Sequence, residues 1–146
     1  MATSEIRFSL LTGPKTAEEI AATIGVSQPT FSRLFKASQD SNHLRSFGTG
    51  KSTKYAALRT VLGDGPDFPL FLIDEYGQPR SLGELTAVER GSFIHSASVK
   101  KNTQFAGIPY FLSDARPAGY LGRGFATRNA DLGYPVKITD WSEDQV

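Results

Sequence analysis

Gln28, Ser32, Arg33 and Lys36 fall at the spacings that gather side chains on one side of an α-helix. An amide, a hydroxyl, a guanidinium and an ammonium offer donors and positive charge with no carboxylate among them. That combination suits base edges and phosphates. Ser27 and Thr30, at the start of the same segment, join them as DNA-binding candidates. Lys51 and Lys54 add two cations in and just after the turn Gly48-Thr49-Gly50-Lys51-Ser52, within reach of a neighbouring phosphate or the minor groove.

These groups need a scaffold, and residues 16–36, TAEEIAATIGVSQPTFSRLFK, spell one. Ala17, Ile20, Ala21 and Ile24 follow i, i+3, i+4, i+7, the stripe of a helix facing a core. Gly25 tolerates the positive φ of a sharp turn, and Val26 is placed to plug the junction. Ser27 reads as the N-cap of a second helix with Pro29 in its first turn and Phe31, Leu34 and Phe35 as its buried stripe. The small Ala21 lets the two helices cross closely. This is the layout of a helix-turn-helix, whose second helix enters the DNA major groove. An ordinary helical hairpin and a protein-docking module are the alternatives.

Ile6 to Leu11 predicts a preceding helix, stopped at Gly13-Pro14. Leu44 to Phe47 and Thr53 to Leu58 predict two strands around the basic turn, so that residues 1–60 read as a winged helix-turn-helix. A plain surface hairpin is the alternative to the wing. The run GTGKST resembles the end of a phosphate-binding P-loop, but Arg45 stands where the first glycine is required and a strand pattern follows.

Charge divides along the same line. Residues 1–60 hold eight basic and four acidic groups, net +4, whereas residues 61–146 hold eight basic and eleven acidic groups, net −3. A positive first half suits a polyanion and the second half does not. The chain has no cysteine, no apolar run of bilayer length and no secretory pattern at its start, which together fit a cytoplasmic protein with no membrane partner.

Residues 60–67, TVLGDGPD, read as a domain boundary. Beyond it, Phe68 to Ile73 predicts a strand, Asp74 to Gln78 a turn, Pro79 to Leu85 a strand or loop, and Gly91 to Val99 another strand; Thr103 to Phe111 alternates imperfectly. The fold class expected is α+β, with a small, mainly antiparallel β domain at residues 66–146.

The segment Leu112-Ser113-Asp114-Ala115-Arg116-Pro117-Ala118-Gly119-Tyr120-Leu121-Gly122-Arg123, with the final WSEDQV and the runs FLIDEYGQPRSLGELT and GSFIHS, resembles the N-terminal β-rich subdomain of HipA-family serine/threonine kinases. These are toxins of bacterial toxin–antitoxin pairs. A winged helix ahead of that subdomain is similar to the YjjJ-type branch, which carries its own DNA-binding head. The resemblance implies that Arg116 and Arg123 dock on a HipA-like kinase body, in cis or in trans; two surface arginines beside an irregular loop are the alternative. It also places the catalytic parts of the kinase beyond Val146, so that this chain is either a regulatory module or the front part of a kinase. Ser142 to Gln145 spells a capping box just where such a chain would continue, and a frayed acidic tail is the alternative.

No catalytic constellation stands out. Phosphoryl transfer needs a phosphate cradle, metal-binding acids and an orienting base, and none of these motifs is present. His43 and His95 are far apart; His95 reads as structural, and His43 as a group that touches a phosphate when protonated. No metal or cofactor is expected. The partners expected are double-stranded DNA, the kinase body and, in the manner of many such regulators, a second copy of the chain.

Overall fold

A computed structural model describes residues 2–38, 43–97, 102–113, 122 and 124–145. Three helices come first: α1 (Ala2–Leu10), α2 (Ala17–Ile24) and α3 (Gln28–Ser38). Thr16 opens α2 with a reciprocal capping box. Its hydroxyl accepts the Glu19 N–H at 3.3 Å, while the Glu19 carboxylate accepts the Thr16 N–H at 2.7 Å. That backbone donor, with the Thr16 hydroxyl, holds the Glu19 carboxyl below its ordinary value. Gly25 ends α2 in the left-handed region at φ 70°, and the Val26 N–H reaches back to the Ala21 carbonyl at 3.0 Å. Ser27 then begins α3 by accepting the Thr30 N–H at 3.4 Å.

The helices converge on one core. Ile6, Leu10, Ile20, Ala21, Phe31 and Phe35 are buried together with Leu44 and Ala57. Tyr55 closes it, meeting the rings of Phe31 and Phe35 edge-on at 4.9 and 4.6 Å. Leu44, Tyr55 and Ala57 come from a small antiparallel sheet ordered β1-β3-β2, where β1 is Lys15–Thr16, β2 is Leu44–Phe47 and β3 is Lys54–Ala57. A 3-10 turn at Gly50–Ser52 joins β2 to β3.

Strand alternation gives this sheet two buried faces. Phe47, Ala56 and Leu58 point away from the helices and pack with Val88 and Ile94. Those partners belong to a second antiparallel sheet, ordered β4-β5-β6-β7: β4 (Asp67–Ile73), β5 (Pro79–Val88), β6 (Ser92–Ser96) and β7 (Asn102–Phe105). The result is three layers, with helices on the small sheet and the small sheet on the larger one. Leu85, Ala87 and Phe93 form a third cluster with Val61, Phe68, Leu70, Ile108 and Leu112. Short helices α4 (Tyr110–Ser113) and α5 (Phe125–Arg128) follow, and Trp141 packs on Phe125 and Tyr134. The architecture is thus α+β with antiparallel sheets.

Two arginines lock the halves together. Arg45 on β2 grips Asp67 on β4 with both terminal nitrogens, at 2.6 and 2.7 Å, and Thr86 donates to the same carboxylate at 2.8 Å. Arg59 is only 13% exposed; it donates to the Val88 carbonyl at 3.0 Å and to Asp144 at 2.6 and 2.8 Å, and lies 4.9 Å over the Phe93 ring. The 3-10 turn at Glu143–Gln145 is therefore tethered, and the Ser142 N–H donates to the Gln145 side chain at 2.9 Å, one half of the expected capping box.

The Arg45 fork, helped by Thr86, holds the Asp67 carboxyl below the usual carboxylate range. A carboxyl depressed in the folded state adds stability above its unfolded pKa of about 3.9 and loses it as pH falls through the lower folded value. Asp67→Asn is accordingly expected to cost about 1 kcal/mol at pH 7, since the pair is only partly buried. The difference from wild type should close as the pH drops well below 4 in urea titrations monitored by circular dichroism. A difference that persists unchanged at pH 2 would assign the loss to packing instead.

Candidate nucleic-acid interface

Helix α3 turns Phe31, Leu34 and Phe35 toward the core. Gln28, Ser32, Arg33 and Lys36 are exposed on its other side, and Thr30 is half-buried. Among the described residues, no carboxylate lies within ion-pair distance of Arg33, Lys36 or Lys51. Their charge is therefore presented to solvent. Ser27 and Thr30 are differently placed from the other four. Their hydroxyls bond to each other at 2.9 Å as part of the helix start, so their first role is local.

Lys51 is exposed in the 3-10 turn, and β3 begins two residues after that turn, so no α-helix starts at GTGKST and the strand-to-helix context of a P-loop is missing. Lys54 pairs with Thr16 across β1–β3, which sets its charge close enough to Glu19 to act on it. Its ammonium also donates to the Gln104 side chain on β7 at 3.0 Å. Two further N–H groups of Lys54 stay available, since an ammonium has three donors. The base of the hairpin is thus braced by the second sheet, with Gly48, Thr49, Ser52 and Asn102 lining the cleft between them.

Two of the eight basic residues in the first half do not belong to any such surface. Arg45 and Arg59 are spent on Asp67 and Asp144 of the second half. The cations left on the outside of residues 1–60 are Arg7, Lys15, Arg33, Lys36, Lys51 and Lys54. Each of the two paired arginines follows a leucine at a strand or its end, as Leu44-Arg45 and Leu58-Arg59. A leucine neighbour alone does not mark an arginine as internally paired, so the sequence carries no specific sign of either pair.

His43 is exposed. His95 is half-buried on β6, hydrogen-bonded through Nε2 to the Leu82 carbonyl at 2.9 Å and set against the Phe111 ring, which is a structural placement. Arg116 and Arg123 lie outside the described residues, as does most of the motif around them. Among the described residues no cluster of three or more histidines and carboxylates could hold a metal ion. None of their helices is long and apolar enough to cross a membrane.

Residues 64–146 match the family described as YjjJ-like toxin, middle domain. Toxin YjjJ of Escherichia coli strain K12 is 32% identical over 145 residues. That alignment takes in 98% of this chain and 32% of the relative, so the chain spans about a third of the length of the curated protein it matches. No solved structure matches it.

Proposed function

Since the chain belongs to the YjjJ-like toxin family, we propose that it works as a DNA-binding regulatory module of a toxin–antitoxin-type system. Residues 1–60 form a winged helix-turn-helix, and residues 66–146 form a HipA-like N-terminal domain that docks on a kinase body. Gln28, Ser32 and Arg33 read base edges from α3, while Lys36, Lys51 and Lys54 hold phosphates. Ser27 and Thr30 present the first turn of the recognition helix.

The observation that carries this reading is the open, acid-free outer side of α3. The tight Gly25 turn and the basic hairpin that follows α3 support it. On the same reading, phosphoryl transfer belongs to a HipA-like kinase body supplied in cis or in trans, which agrees with a relative about three times as long. A reading frame that runs past Val146 into kinase motifs would make the chain the front part of a serine/threonine kinase toxin. Co-purification with a separate kinase body would make it a partner in trans.

The test is salt. On a random duplex Arg33 has no matched base and joins Lys36, Lys51 and Lys54 on phosphates; four such cations predict a logarithmic slope of about −3.6, so affinity should fall roughly 100-fold between 50 and 200 mM salt. Fluorescence anisotropy with a labelled duplex measures it. A flat response, or no binding at low salt, would leave only the protein-docking alternative.

A further inference from the structure

We infer that the outer half of the β4–β5 hairpin is a self-association arm, through which two copies of this chain pair edge strand to edge strand. The hairpin has two unlike halves. Near its base, Phe68 and Leu70 pack on the core of the second sheet. Past Leu70 the register shifts, with Leu70 opposite Gly83 but Phe71 opposite Ser81, and the packing stops. Strand β6 pairs with β5 only from Glu84 to Val88, so among the described residues the ribbon beyond has no third strand. Phe71, Leu72, Ile73, Tyr76 and Leu82 are all 41 to 79% exposed there.

A two-stranded ribbon is marginal in water without another layer or strand. Exposed edges are ordinarily blunted by charge or proline. Here Pro69 guards one end of β4 and Asp74-Glu75 the other, and the stretch Phe71-Leu72-Ile73 between them carries neither. Among the described residues β4 is the last strand of its sheet, and none of them pairs with its outer row of backbone groups.

Area and symmetry point to a second copy as the occupant. The five side chains leave on the order of 500 Å² in water, as large as the biggest patch of an ordinary monomer. Full burial of both arms would reach about 1,000 Å² in total, the threshold for a specific interface; edge pairing covers part of that through Phe71, Leu72 and Ile73 and adds backbone hydrogen bonds between the two β4 edges. An antiparallel pair centred on Leu72 sets Phe71 against Ile73 of the other copy and Ile73 against Phe71, using the uncharged stretch twice in one isologous contact. Asp74 then faces Leu70, so no like charges stand directly opposite. This contact needs no DNA and does not depend on the regulatory reading.

The chain has no cysteine, so single cysteines report on the pairing directly. In an antiparallel pair, residues at the axis bring their Cα atoms to about 4.5–5.5 Å, within disulfide reach. Leu72→Cys is expected to form a disulfide-linked dimer under mild oxidation at least 10-fold faster than Tyr76→Cys, although Tyr76 is the more exposed. Wild type should sediment as a dimer, and Leu72→Lys, a change at an already exposed position, as a folded monomer by circular dichroism. A wild type that stays monomeric at about 100 μM would overturn the inference and leave the arm to a partner of another sequence. Equal cross-linking at positions 72 and 76 would overturn it as well, because it would report random collision.

Discussion

Gly83→Ala is expected to destabilise the chain by about 3–5 kcal/mol, enough to remove much of the 5–15 kcal/mol that typically separates folded from unfolded states. Two independent costs meet at this residue. Gly83 has φ +113°, a region that side-chain-bearing residues rarely enter. A Cβ placed there would overlap the Ser96 carbonyl oxygen and come within 3.0 Å of the Ala97 Cα. Both obstacles are backbone, so no rotamer change relieves them. The position is also where β5 leaves its pairing with β6 and becomes the outer half of the hairpin. Gly77→Ala separates the two costs. Gly77 has φ +76° in the hairpin turn, and no atom of the described residues lies within 4 Å of the place an alanine methyl would take, so only the conformational part, about 1–2 kcal/mol, applies. Urea unfolding of the two variants beside wild type gives the comparison. A Gly83→Ala protein as stable as Gly77→Ala would mean that β5 and β6 do not approach this closely.

Gly83 also illustrates what a sequence shows and what it withholds. The helices were legible because their apolar residues repeat: Ile20, Ala21 and Ile24 on one, Phe31, Leu34 and Phe35 on the next, with Gly25 between them at a left-handed turn. Strand β2 was legible to the residue at Leu44–Phe47. Thr16-Ala17-Glu18-Glu19 spells the capping box outright, yet the apolar stripe of α2 draws attention from it. Strand β5 was ambiguous, because Pro79 and Gly83 interrupt a pattern that continues through Val88. The imperfect alternation from Thr103 to Phe111 resolves into a strand ending at Phe105 and a short helix starting at Tyr110.

What could not be read was distance. Arg45 finds Asp67 22 residues away and Arg59 finds Asp144 85 residues away. Local periodicity contains no information about either pair. The two-faced burial of the small sheet is of the same kind. Tyr55 and Ala57 face the helices, whereas Ala56 and Leu58 face β5 and β6. The run Tyr55-Ala56-Ala57-Leu58 therefore reads as uniformly apolar, without saying which partner lies on which side. The exposed side of α3 was legible for the opposite reason: helical period alone separates it from Phe31 and Phe35.

With Arg45 and Arg59 neutralised internally, the proposed DNA interface rests on few cations, and on that proposal their removal should be costly. An Arg33→Ala/Lys36→Ala/Lys51→Ala variant is expected to fold as wild type, since all three side chains are exposed and surface changes are usually worth within about 0.5 kcal/mol each. Its binding to a random duplex should nevertheless fall roughly 100- to 1,000-fold near physiological salt. Three phosphate contacts contribute about 2.7 units of logarithmic salt slope, and the variant should lose that much of it. On a specific site Arg33→Ala alone should cost about 1–3 kcal/mol and relax the preference at one base position. Arg45→Ala is the control that decides between an organised face and bulk positive charge. It removes the same formal charge from the first half, but that charge is already neutralised by Asp67 and Glu84. At a temperature where Arg45→Ala is still folded, its salt slope should match wild type. Equal binding by wild type and the triple variant would defeat the DNA reading. Equal losses per charge from Arg45→Ala and the triple variant would reduce it to nonspecific attraction by net charge, with no recognition surface on α3.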